Sequence, residues 1–209
     1  MNASPDTPPP ESSDLIRADR LDFAYPDQPL FRALSFTVGP GLSVVRAGDG
    51  KGKSTLLRLM AGALAPSAGQ LWRAPATVFF ADPRDEREDA LTARQCLRAH
   101  AGRFPDWNAA REQAMVERFD LAEHLDKGLF MLSTGTRRKV WLVAACASGA
   151  RLVLLDQPFG ALDAPARAVV AQCLTEAARD PVCGWVVADH ELPASLADVV
   201  LAGLIDLGD

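Results

Sequence analysis

The segment Ala47–Thr55, Ala-Gly-Asp-Gly-Lys-Gly-Lys-Ser-Thr, constrains this chain more than any other. It follows the apolar run Leu42-Ser43-Val44-Val45. It precedes a helical pattern from about Lys53 to Ala63, in which Leu56, Leu57, Leu59, Met60 and Ala63 share one face. Strand, glycine-rich turn, lysine, hydroxyls and helix in that order make a phosphate loop. The glycines Gly48, Gly50 and Gly52 let successive backbone N–H groups turn inward, around Asp49 and Lys51, onto a polyanion at a helix N-terminus. Lys53 would reach the terminal phosphates and the Ser54 hydroxyl would ligate Mg²⁺. Ala47 stands where the general pattern has its first glycine.

The rest of the chain alternates strands with helices, which predicts an α/β fold. Leu21–Tyr25 and Leu34–Val38 alternate apolar and polar residues, as half-buried strands do. Thr77–Phe80, Leu152–Leu155 and Gly184–Ala188 are nearly continuous apolar runs, suited to a parallel sheet covered on both faces. Helices are predicted over about Thr134–Ser148 and Ala164–Ala178. Between the polar stretch Asp82–Asp89 and Phe130, helical periodicity broken near Pro105 predicts a small inserted helical subdomain, about 83–150. Residues 1–13 hold Pro5, Pro8, Pro9 and Pro10 among small polar residues and read as a disordered tail, leaving 14–209 as the folded domain.

The chain has 209 residues, 48% hydrophobic and 23% charged, the balance of an ordinary globular protein. A net charge of −5 argues against a broad nucleic-acid-binding face. The N-terminus lacks the pattern of a signal peptide, and no apolar run approaches the roughly 18 residues of a membrane span. Cys96, Cys146, Cys173 and Cys183 show no CxxC or zinc-type Cys/His spacing and read as reduced, small buried thiols. Arg137, Arg138 and Lys139 read as a solvated helix face.

Four further motifs fall in register with the phosphate loop. Leu152–Asp156 is a hydrophobic strand ending in an acid. Leu132-Ser133-Thr134-Gly135-Thr136-Arg137-Arg138-Lys139-Val140 precedes it. Asp156-Gln157-Pro158-Phe159-Gly160-Ala161-Leu162-Asp163 continues it. Val187-Ala188-Asp189-His190-Glu191 closes the series. Together they resemble the Walker B segment, signature, D-loop and switch histidine of ATP-binding cassette (ABC) ATPases, over about residues 15–205.

The resemblance implies a P-loop NTPase fold of the ABC type, with a β-subdomain and an inserted helical subdomain. It implies that Tyr25 stacks on adenine. Asp156 would hold Mg²⁺ with Ser54, and His190 would contact the γ-phosphate. Ser133, Thr134, Gly135 and Thr136 would present N–H groups to ATP on a partner subunit, beside Asp163. It further implies a head-to-tail homodimer or heterodimer, a membrane-spanning permease as partner, and a place at the cytoplasmic face of the inner membrane. The short insert argues against the chromosome-structuring branch, which carries long coiled coils.

Three positions depart from the family pattern. Asp82 stands at the glutamine that senses γ-phosphate, and Thr134 replaces a glycine. Gln157 replaces the glutamate that polarises the attacking water. Glutamine cannot accept a proton at neutral pH, and general-base catalysis is worth about 10²–10⁴-fold. Two readings follow: a subunit that hydrolyses ATP to drive a permease, and a degenerate ATP-binding switch with little hydrolysis.

Overall fold

The computed structural model describes residues 13–26, 28–82 and 87–208. The tail expected over 1–13 lies almost wholly outside the described residues, as does the beginning of the expected helical subdomain.

Two sheets carry the fold. In the first, β1 (Ile16–Tyr25) runs antiparallel between β2 (Gln28–Val38) and β4 (Ala68–Arg73). The second is wholly parallel, with the order β5 (Val78–Phe80), β6 (Leu152–Asp156), β7 (Gly184–Asp189), β3 (Gly41–Arg46), β8 (Gly203–Asp206).

Strand β1 begins five residues before its predicted start. Its buried positions are Ile16 and Ala18, then Leu21 and Phe23. The register shifts between Ala18 and Leu21, where Arg20 takes φ 45°. This bulge changes the parity of the alternation, so a period-two reading picks up only the second half.

The parallel sheet is covered on both faces, as its apolar runs require. Along β6, Val153 and Leu155 face one core, with α4 (Thr134–Ala147) and α5 (Ala164–Ala177). Leu152 and Leu154 face the other, with α1 (Lys53–Met60) and the antiparallel sheet. Helices α2 (Ala93–Arg103) and α3 (Ala109–Arg118) pack on α4 and extend the first core through Leu97, Met115 and Leu121.

Helix α1 is shorter than predicted. With Gly62 left-handed, Gly62 N–H bonds Leu59 O and Ala63 N–H bonds Arg58 O, a Schellman ending that closes the helix after Met60. Among the described residues, no helix is long and apolar enough to cross a membrane.

The parallel register decides where chemistry can occur. Arg46 pairs with Asp189, and Asp156 with Ala188. The carboxyl ends of β3, β6 and β7 therefore meet at one edge, where open α/β sheets bind their ligands.

Candidate functional site

The loop leaving β3 curls over that edge and enters α1. Gly52 caps the helix at φ 96°, and Gly50 also lies in the left-handed region, at φ 75°. A Cβ on Gly52 would sit 2.8 Å from Leu30 and Phe31, so both its conformation and its surroundings demand glycine. Lys53 is buried, its ammonium donating to Ala47 O at 2.7 Å and Gly48 O at 2.8 Å. Asp49, almost fully exposed, lies 3.7 Å from the same ammonium. The cation is thus held by the carbonyls of its own loop, inside the turn where a polyphosphate would lie.

A cavity of about 450 Å³ opens over this loop, lined by Tyr25, Gln28, Leu30, Asp49, Gly50, Gly52, Lys53, Ser54, Thr55, Arg138, Asp156 and Gln157. Tyr25 is fixed at its rim by an edge-on contact with Phe23, ring centroids 5.1 Å apart, and by a 3.1 Å hydrogen bond between its hydroxyl and Thr55 Oγ1.

Asp156 ends β6 with Oδ1 buried and without a hydrogen-bond partner among the described residues. A buried, orphaned carboxylate oxygen is costly unless a cation takes it. It lines the same cavity as the Ser54 hydroxyl, and these two oxygen donors suit a hard cation such as Mg²⁺.

Gln157 follows in the left-handed region, φ 47°, with its N–H on Ala188 O at 2.8 Å and its side chain exposed toward the cavity. His190 Nδ1 lies 3.4 Å from Ala47 O, at the foot of the phosphate loop. One chain therefore brings Tyr25, the whole phosphate loop, Asp156, Gln157 and His190 to one edge.

Other expected positions lie elsewhere. Asp82 does not line the cavity. Its carboxylate receives Arg58 Nε at 2.6 Å and a second guanidinium N–H at 2.9 Å, a bidentate pair with α1. Ser133 caps α4, accepting Thr136 N–H at 3.1 Å, and Ser133 and Thr134 face solvent. Asp163 caps α5 through Ala166 N–H at 2.8 Å and pairs with Lys139 at 2.8 Å, which holds its carboxyl below the usual range.

The expectation of a solvated face at Arg137–Lys139 is corrected. Arg137 pairs with Asp89 and lies 4.8 Å over the Trp141 ring, and Lys139 is taken by Asp163. Arg138 is half-buried, donates to Gly160 O and lines the cavity. Burial lowers its pKa, opposed by the charges of Asp156 and Asp189. A helix about four turns long on a folded domain has one solvated stripe, and three consecutive residues cannot all lie on it.

Asp189 was not singled out by the sequence. It ends β7 beside Asp156, and its Oδ1 accepts His190 N–H at 2.8 Å. Burial pushes its carboxyl up, as does Asp156, while the His190 N–H and Lys53 pull it down. An acid ending a buried strand was the only available signal, and Asp156 carried the same one.

Comparison with known proteins agrees with this arrangement. The sequence profile described as ABC transporter matches residues 31–160. The chain is 33% identical over 177 residues to the taurine import ATP-binding protein of Pseudomonas fluorescens, covering 78% of this chain and 66% of that one. It is 32% identical over 192 residues to the cytochrome c biogenesis ATP-binding export protein of Brucella abortus, covering 87% of each. The solved structure of an ATP-binding subunit of an ABC transporter superimposes with a TM-score of 0.71 at 20% identity, over 88% of this chain and 82% of that one. With the phosphate loop, the Walker B acid and the parallel sheet already in place, the chain belongs to the ABC transporter family, as one of its ATP-binding subunits.

Proposed function

We propose that this chain binds Mg²⁺-ATP, closes head-to-tail on a second ATP-binding subunit, identical or not, and energises a membrane-spanning permease from its cytoplasmic face, hydrolysing ATP slowly. The observation that carries this reading is the convergence of buried Lys53, the orphaned Asp156 oxygen and Gln157 around one cavity.

Lys53 and the N–H groups of the loop would hold the β- and γ-phosphates, with Tyr25 at the base. Ser54 and Asp156 would hold Mg²⁺, whose part is to neutralise charge on the phosphate oxygens. Gln157 can orient a water through its amide but cannot take its proton. Binding is thus fully equipped and the chemical step is not. Ser133 and Thr134, exposed on α4 and outside this chain's own cavity, supply the surface that would face ATP held by a partner.

The test is phosphate release by the purified chain and by Gln157→Glu. Turnover should rise about 10²-fold or more in the variant. An unchanged rate would show that the missing carboxylate is not the limiting defect. The same residue favours a second reading, an ATP-driven switch without turnover. Undetectable release by the unaltered chain, alongside tight ATP binding, would select that reading.

A further inference from the structure

Away from the nucleotide cavity, three side chains with metal-binding atoms converge in the helical part of the fold. Cys96 and His100 stand one turn apart on α2, and Glu88 comes from the turn that precedes it. Glu88 Oε2 lies 3.3 Å from Cys96 Sγ and 3.4 Å from His100 Nε2, and the three ligand atoms lie within 4.8 Å of one another. Tetrahedral zinc bonds of about 2.0–2.3 Å place neighbouring ligand atoms about 3.3–3.5 Å apart. Both edges that meet at Glu88 have this length.

The second observation is His100 itself. Its residue is 5% exposed, and neither ring nitrogen has a hydrogen-bond partner among the described residues. Its Nε2 lies 3.4 Å from Glu88 Oε2, an ionic contact only when the ring is protonated. Its ring is wedged against Phe79 and Phe104, centroids 5.5 and 6.5 Å away, which fixes its orientation. A buried imidazole with no hydrogen-bond partner is costly for a protein and ready-made for a cation.

We propose that Glu88, Cys96 and His100 form a binding site for a thiophilic divalent cation of the zinc class, with one position left to water. Thiolate and carboxylate together would balance the charge of the ion, and the imidazole would complete the protein's share. Burial and Glu88 push the Cys96 thiol up, so it keeps its proton until a metal binds. On binding, the S–H bond breaks, the sulfur pair goes to the metal and the proton leaves to solvent. The ion would pin the Glu88 turn to α2. The adjacent Asp89 is paired with Arg137 on α4, so the pinned turn also touches the helix that carries the signature segment.

The experiment uses the whole chain, stripped with chelator, without nucleotide or Mg²⁺, titrated with Co²⁺. One Co²⁺ per chain should bind with a thiolate-to-cobalt charge-transfer band, and Zn²⁺ should displace it. The band should vanish in Cys96→Ser and persist in Cys146→Ser. Cys96 is fully buried, so Glu88→Gln, altered at a partly exposed position, decides if the serine variant does not fold. That variant should bind Co²⁺ at least about 10- to 100-fold more weakly, since losing a ligand costs no less than losing a ligand's hydrogen-bonded support. No thiolate band in the unaltered chain, a band that survives Cys96→Ser, or unweakened binding by Glu88→Gln would each overturn the site.

Discussion

Two helix N-termini in this molecule carry the segments proposed to contact ATP, and they are built differently. The start of α1 is enclosed. Gly50 and Gly52 are left-handed, Lys53 is buried on the loop carbonyls, and the rest of the cavity wall comes from β1, β2, the end of β6 and Arg138 of α4. The start of α4 is open. Ser133 caps it, Ser133 and Thr134 face solvent, and none of Ser133–Thr136 lines the cavity. Gly135 is nevertheless pressed from below: a Cβ there would sit 2.3 Å from Ala161 O. The first terminus is a finished site. The second has its inner side against Ala161, and in the proposed dimer its outer side would face ATP held by another subunit.

The largest effect is expected at the enclosed terminus. Lys53→Met should weaken Mg²⁺-ATP binding about 10- to 100-fold in calorimetry, the loss of charge-assisted hydrogen bonds to phosphate. Retained affinity would break the contrast, because the finished site would then not depend on its buried cation. Gly135→Ala should cost about 1–3 kcal/mol in denaturant unfolding, since the obstructing atom is backbone and cannot rotate aside. A neutral result would mean that the signature helix is not seated on the D-loop. Smallest is Ser133→Ala, about 1 kcal/mol of stability from a lost N-cap, with ATP affinity of the isolated monomer unchanged. A fall in monomer affinity would merge the two termini into one site.

Most members of the cavity were legible in the sequence because they sit in short, ordered motifs. Lys53 and Ser54 come with their loop, and Asp156 with its apolar strand. The proposed separation of binding from hydrolysis rests on Gln157, where a single atom type decides whether a proton can be taken. Other features were hidden for physical reasons. β4 and β8 are edge strands, β4 mostly exposed and β8 only four residues long, so neither carries a readable apolar pattern. The first half of β1 is masked by the bulge at Arg20. Arg138 could not be told from Arg137 by composition, and only the rotation of α4 turns one toward Asp89 and the other toward the cavity.

Asp82 shows the limit most clearly. By position it matches the residue that the family resemblance implies as γ-phosphate sensor. In the folded chain Arg58 takes both of its oxygens, because α1 presents a guanidinium there. Cys96 and His100 make the same point from the other side. Their four-residue spacing is weak alone and acquires meaning once Glu88 arrives from a separate turn.

By itself, then, the sequence determined the family, the glycine-rich loop and the amide side chain at position 157, since each rests on residues contiguous along the chain. Only the tertiary structure decided which charged groups face the cavity, which are neutralised before they reach it, and where a cysteine, a histidine and a glutamate meet. Those outcomes depend on helix rotation and on contacts between distant segments, which local pattern does not encode.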